Sequence, residues 1–409
     1  MTGETAFSEV GARLLPFNFS LLPIIYLDLH KTEPYFKHDS PHIIANKQGK
    51  VKISKKTDRK DLVMSEIRMD PQTLQTFIHA VFEQAGMSPE DAAVEAEVLV
   101  WANLRGVDSH GVLRVIDYLD NIKSGKMNAR PNVTIIKESP AIVYMDADRS
   151  LGPPVTVKAM NMAIEKAKNV GIGWTLIRNV THQGAMAYYS LMAAKENLVG
   201  MSIVCSPPNM APFGAKASGL HNSPIAFAIP AGKHEPISLD MATSVAAGGK
   251  LMLAQDKGVP LGDDWALDAD GNPTTDAHAG KILRPAGGPK GSGLALIFQC
   301  LTSLMANNPL IVPVLQGAEN SGKQNSIVAA IDISFFIDVD DYKDHTDNLI
   351  DELKKLPKAD GFDEILMPGE PENRTLIERS NNGIPIPPGT ADKLREAAKR
   401  LSLAIPKGL

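Results

Sequence analysis

The run Ile172-Gly173-Trp174-Thr175-Leu176-Ile177-Arg178 lies between two helical patterns, near 155–170 and near 185–196, and its reading decides the fold. It is short, rich in β-formers and closed in by helices, as a strand of a β-α-β unit is. Working outward, β-rich runs at 142–145 and 201–205 complete a β-α-β-α-β alternation, so part of the sheet is expected to be parallel. Further on, runs at 224–230 and 236–240 are joined by short polar links that suit antiparallel pairing, and another strand is expected at 327–336. The fold class that follows is α/β with a mixed sheet. Before the alternation, Asp70-Pro71 and Ser88-Pro89 open two helical patterns that stop at Gly86 and Gly106. After it, 347–356 and 390–403 read as helices around a proline-rich loop. Residues 1–66 carry no sustained period, are locally basic at 47–60, and are expected to be a loosely ordered extension, with Met64 or Met69 as a start of the folded part. The expected organisation is a helical unit at 67–140 packing with C-terminal helices at 337–409, and a sheet domain at 141–336.

Composition narrows the function classes. The 409 residues are 44% hydrophobic and 22% charged with a formal net charge of −5, ordinary for a water-soluble protein and without the basic excess that nucleic acid or an anionic membrane would attract. The longest apolar stretches fall short of a membrane span, and 14–29 is broken by Pro16, Pro23, Asn18 and Asp28 and lacks a cleavage signature. Cys205 and Cys300 form no CxxC or metal spacing, so buried free thiols in a reducing, cytoplasmic setting are expected.

The chemistry concentrates in Asp108-Ser109-His110-Gly111-Val112-Leu113-Arg114 and Tyr118. His110, Arg114 and Tyr118 stand at i, i+4 and i+8, which share one face of a helix, while Val112, Leu113, Ile116, Leu119 and Ile122 form its buried face. Ser109 or Asp108 is expected to cap that helix. His110 would then sit beside the positive end of the macrodipole, which lowers an imidazole pKa. His182, in Asn179-Val180-Thr181-His182-Gln183-Gly184, follows the 172–178 strand, and ligands of open α/β sheets collect at such strand ends. Each histidine has a structural alternative, a hydrogen-bonded half-buried residue for His110 and a turn cap for His182. Asp240-Met241-Ala242-Thr243 ends another strand and suits a ribose, a histidine tautomer or a plain helix cap. Gly287-Gly288-Pro289-Lys290-Gly291-Ser292-Gly293 opens an apolar helix whose free N–H groups, with Lys290, suit a phosphate, although it is neither a Walker loop nor GxGxxG. Neither HExxH nor a cysteine pair occurs, so no metal is expected; G-x-S-x-G is missing too. Oxidising a 2-hydroxy acid requires a base, an arginine fork for the carboxylate and a dinucleotide pocket. His110 or His182, Arg114 and the Lys290 loop match that set.

The ordered motifs Asp108–Arg114, Thr181-His182-Gln183-Gly184, Pro212-Phe213-Gly214, Asn222-Ser223-Pro224, Leu239–Thr243, Trp265–Thr275 and Gly288–Gly291 resemble those of the malate/L-lactate dehydrogenase-like oxidoreductases over about 69–405. The resemblance implies a non-Rossmann, largely antiparallel sheet flanked by helices, NAD or NADP as cofactor, a small 2-hydroxy or 2-oxo acid as partner, and a homodimer. It further implies His110 and His182 as acid/base groups and Ser109, Arg114 and Tyr118 as substrate contacts. Ser206, Asp240, Met241, Ala242, Lys290 and Gly291 would meet the cofactor. A cyclic ketimine reductase and a non-catalytic nucleotide-binding module are the alternatives. Two features depart from the pattern: the N-terminal extension, and Ser321-Gly322-Lys323-Gln324-Asn325-Ser326, where some relatives place an arginine or histidine for substrate. Lys323 would supply a point charge there, not a planar fork.

Overall fold

The computed structural model describes residues 67–409, and the expectations for 1–66 lie outside the described residues. Strand β1 (Ile67–Met69) leads into helices α1 (Pro71–Gln84) and α2 (Pro89–Leu104), two 3-10 turns at Asp108–His110 and Val112–Arg114, and helix α3 (Val115–Lys123). Sheet strands follow as β2 (Thr134–Glu138), β3 (Ile142–Asp146), β4 (Ile172–Val180), β5 (Leu198–Cys205), β6 (Ile225–Ile229) and β7 (Ile237–Met241). Helix α4 (Gly152–Val170) joins β3 to β4, and α5 (Ala187–Lys195) joins β4 to β5. After α6 (Gly248–Lys257), the short strands β8 (Ala266–Leu267), β9 (Pro273–Thr274) and β10 (Ile282–Leu283) make a small antiparallel sheet. Then come α7 (Pro289–Gln299), α8 (Val312–Leu315), β11 (Gln324–Asp332), α9 (Val339–Lys354), α10 (Glu370–Asn382), β12 (Ile384–Ile386) and α11 (Pro388–Arg400).

The large sheet runs β2-β3-β4-β11-β5-β6-β7, with β3 and β4 parallel and every other neighbouring pair antiparallel. The fold is thus α/β with a mixed, mainly antiparallel sheet flanked by helices. The β-α-β-α-β alternation needs one correction: β11 runs between β4 and β5, with Ile327 opposite Leu176 on one side and Ile203 on the other. A strand so far along the chain leaves no local signal of where it inserts, but its nearly continuous burial is that of a strand covered on both faces. Helix α4 lies against β4 at Gly173, where an added Cβ would fall 1.8 Å from the Ala163 carbonyl oxygen. A hydrophobic cluster joins α1, α2 and α3 to β12 and α11 through Leu74, Phe82, Leu99, Val115, Ile384 and Leu394. A second cluster joins α4 and α5 to the sheet through Met145, Met160, Ile177, Tyr189 and Val328.

Two further expectations are corrected. The proline-rich C-terminal loop contains α10, whose polar, proline-led sequence hides its helical period. And 108–123 is not one helix: the backbone is extended at Gly111 (φ −96°, ψ −152°), so the α-helix begins only at Val115. The cause lies in α2. Asn103 Oδ1 accepts the Val112 N–H at 2.8 Å, which takes that amide out of a helical ladder, and a Cβ on Gly111 would sit 2.1 Å from the same oxygen.

Candidate active site

The turn that carries Ser109 and His110 is held by a clamp rather than a cap. Neither Asp108 nor Ser109 makes a side-chain cap bond. Asp108 instead accepts two bonds from Arg379 of α10, at 2.7 and 3.1 Å, and a third from Asn103 Nδ2 at 2.6 Å. Ser109 Oγ meets His110 Nδ1 at 2.9 Å, and the Ser109 carbonyl accepts from Arg114 Nε at 2.8 Å. That bond uses the inner edge of the guanidinium and leaves its terminal nitrogens for an acid, with Asp117 the nearest carboxylate at 3.9 Å. Arg379 and Asn103 were not read from the sequence, because a clamp across 271 positions has no local signature.

The second histidine arrives from the other side. β4 ends at Val180, and the following loop is pinned by Thr181 Oγ1 donating to the Ser150 carbonyl at 2.7 Å and Thr156 Oγ1 donating to Gln183 Oε1 at 2.9 Å. His182 Nδ1 is met by the buried Tyr118 hydroxyl at 2.5 Å and by the Gly184 N–H at 3.2 Å, so Nε2 is the nitrogen left for a ligand. The His110 and His182 rings stack with centroids 5.3 Å apart. Together His182, Tyr118, Arg114, Gln324 and Gly322 border a cleft of about 430 Å³. The i, i+4, i+8 row therefore converges although its helix does not exist as expected.

Both imidazoles are neutral at pH 7. Burial, with the Arg114 guanidinium second, pushes His110 down to about 4. The expected shift is present, but its cause is desolvation and a cation, not a helix terminus. His182 is held well below the ordinary range by burial first, then by His110 and Arg114. His221 also acts on His182; burial pushes it down to about 3, and its Nδ1 lies 3.3 Å from Ser223 Oγ. The sequence reading passed over His221, although it directly precedes the Asn222-Ser223-Pro224 motif.

These shifts predict acid sensitivity. In the unfolded chain each histidine takes up its proton near pH 6.5, whereas His110 and His221 do so in the folded chain only near 4 and 3. Between those values the unfolded state binds more protons, so stability is complete above pH 6.5 and falls by about 1.4 kcal/mol per pH unit per histidine on acidification. Glu95, fully buried and held protonated by desolvation, and Asp240, which burial pushes up to about 6, work in the opposite direction and remove part of the slope. Relative to the unaltered chain, His110→Asn should lose less of its thermal midpoint between pH 7 and pH 5; identical pH profiles of the two would refute the assignment.

Of the expected cofactor residues, the Asp240–Ala242 strand end and the Lys290 loop adjoin one another. Asp240 Oδ2 accepts the Ala187 N–H at 2.8 Å, the Met186 N–H is a second backbone donor to the same carboxyl group, and burial pushes its pKa up to about 6. The adjoining turn reaches the Lys290 loop through the Ala286 N–H, which donates to the Thr243 carbonyl at 2.9 Å. Met241 and Lys290 are exposed, and Ser206 and Ala242 half-buried. Gly291, by contrast, is buried, and the amide cradle expected at the α7 N-terminus is largely closed. The Gly291 N–H donates to the Ala286 carbonyl at 2.8 Å, the Lys290 N–H to the Gly287 carbonyl at 3.3 Å, and Pro289 has none. What remains for a dinucleotide is the Asp240 carboxyl group and the exposed Lys290 ammonium. This fits a ribose and a phosphate, with the phosphate held by charge more than by backbone. Of the cysteines, Cys205 is buried as expected and Cys300 only half so.

A sequence profile described as malate/L-lactate dehydrogenase matches residues 69–395. The chain is 39% identical over 343 residues to the L-sulfolactate dehydrogenase of Methanocaldococcus jannaschii, covering 82% of this chain and 98% of that protein. It is 32% identical over 326 residues to the NAD(+) ureidoglycolate dehydrogenase of Escherichia coli, covering 78% and 93%. Among solved structures, the malate dehydrogenase of Pyrococcus horikoshii superposes with a TM-score of 0.76 at 36% identity, covering 83% of this chain and 97% of that one.

Proposed function

This chain belongs to the malate/L-lactate dehydrogenase family, and from that premise we propose that it is an NAD(P)-dependent dehydrogenase that moves a hydride between the nicotinamide and C2 of a small 2-hydroxy or 2-oxo acid. The observation that carries this reading is the convergence of His182, Tyr118 and Arg114 on one cleft. The terminal nitrogens of Arg114 grip the substrate carboxylate and turn C2 toward His182. In the neutral tautomer whose Nδ1–H donates to the Tyr118 oxygen, giving up the longer Gly184 contact, His182 has an unprotonated Nε2, which takes the hydroxyl proton as the C2–H bond breaks and returns it in the reductive direction. The bound nicotinamide supplies the hydride acceptor or donor. Ser206, Asp240, Met241, Ala242, Lys290 and Gly291 form the wall for that cofactor, without a Rossmann glycine fingerprint. His110, stacked on His182 and tied to Ser109, limits the pair to one proton, since two charges 5.3 Å apart cost about 3 kcal/mol at an effective dielectric of 20.

The partners proposed are the acid and a second copy of the chain. Helix α7 and the segment after it expose Leu296, Ile297, Leu304, Met305, Val312 and Leu315, large apolar side chains that a homodimer would cover. Sedimentation should report twice the chain mass. Absorbance at 340 nm with NADH and NADPH across pyruvate, oxaloacetate and related 2-oxo acids tests the activity itself. Oxidation of neither nucleotide with any of these acids would reject it.

A further inference from the structure

The geometry points to a substrate class within that reading: a 2-hydroxy or 2-oxo monocarboxylate whose far end is uncharged and carries N–H or O–H donors, in preference to a dianion. The inference rests on the proposed function and concerns the same cleft. Among the described residues that border the cleft, Arg114 is the single cation, and the reaction itself commits it to the C1 carboxylate. The next groups along α3 are acidic. Asp117 and Asp120 follow at three and six positions and both face the cleft. Asp120 is neutralised by Arg400 Nη1 at 2.6 Å. Asp117 has no such partner, since Arg114 approaches no closer than 3.9 Å, so its oxygens remain as acceptors.

The neutral groups complete the pattern. Gln324 uses Oε1 to accept from Gln183 Nε2 at 3.4 Å, which leaves its own amide N–H groups free. The Asn121 side chain has no partner among the described residues and borders the same space. A carboxamide, ureido or hydroxyl group at the far end of the substrate would donate to Asp117 and accept from Asn121 or Gln324. A second carboxylate or a sulfonate would face Asp117 with like charge, at a loss of about tenfold in this half-open setting. Lys323, beside Gly322 on the rim, is the group through which a dianion would be held if the inference is wrong.

The test compares two isosteres, malate and its 4-carboxamide, 2-hydroxysuccinamate, as kcat/KM ratios with the preferred nucleotide. The expected ratio favours the amide by about tenfold, and Asp117→Asn should move it at least fivefold toward malate. A ratio is read so that a general loss of activity in the variant does not hide the result; Asp117→Ser serves if the Asn variant does not fold. Malate preferred by the unaltered enzyme, or a ratio unmoved in Asp117→Asn, overturns the inference, as does a Lys323→Gln variant that alone abolishes malate turnover. Failure of both acids and of all simple 2-hydroxy acids would reject the proposed function instead. The same ordering, read as the thermal shift each acid gives with nucleotide bound, checks the preference without turnover.

Discussion

Replacing His182 by Ala lowers kcat by about 10² to 10⁴, the range for loss of a positioned acid/base group. The fall should appear in kcat far more than in the KM of either substrate, because the ring touches the reacting oxygen and the carboxylate is held elsewhere. His110→Ala should cost less, since its Nδ1 is taken by Ser109 at 2.9 Å and Nδ1 of His182 is the nitrogen that Tyr118 orients. Tyr118→Phe separates orientation from chemistry: it removes the 2.5 Å hydroxyl contact and keeps the ring among its core neighbours. Steady-state rates of the three variants at several pH values decide between the histidines. A larger loss in His110→Ala would exchange their roles, and full activity in both histidine variants would remove the mechanism.

The second large effect is expected at Arg114. Truncation to Ala should lower kcat/KM for the acid by about 30-fold to a few thousandfold, the 2–5 kcal/mol typical of removing one partner of a desolvated charge pair. Arg114→Lys should recover only part of this, because an ammonium cannot hold both carboxylate oxygens in one plane and also donate to the Ser109 carbonyl as Nε does at 2.8 Å. The loss is expected mainly in KM for the acid, with nucleotide binding near normal. Binding of both ligands can be followed separately by calorimetry, and a change confined to the nucleotide would contradict the assignment.

The sequence announced these side chains better than it announced their support. Spacing placed His110, Arg114 and Tyr118 together because periodicity survives a local break: the 3-10 turns and α3 still bring Arg114 and Tyr118 to the cleft and His110 onto the His182 ring behind it. The break itself was not readable, because it originates in Asn103 of α2 and Arg379 of α10. The β3-α4-β4 unit and the β6-β7 hairpin were legible because their partners are neighbours in sequence. The insertion of β11 between β4 and β5 was not, since pairing between strands more than a hundred residues apart leaves no trace in either one. The phosphate cradle failed for a further reason: glycines and a lysine before a helix state what the backbone can do, whereas the Ala286 and Gly287 carbonyls determine which amides are left free.

The position of β11 has a consequence for how the polypeptide matures during synthesis. Until residue 332 has left the ribosome, β4 and β5 each present a bare edge, and until residue 379 follows, the Asp108 turn lacks its counter-ion. A nascent chain therefore elongates from β5 to β11 with exposed strands, and on to α10 without a competent catalytic turn. Premature termination anywhere before α10 removes the middle of the sheet or the anchor of the turn, so such fragments should be prey for chaperones and proteases rather than partly working enzymes.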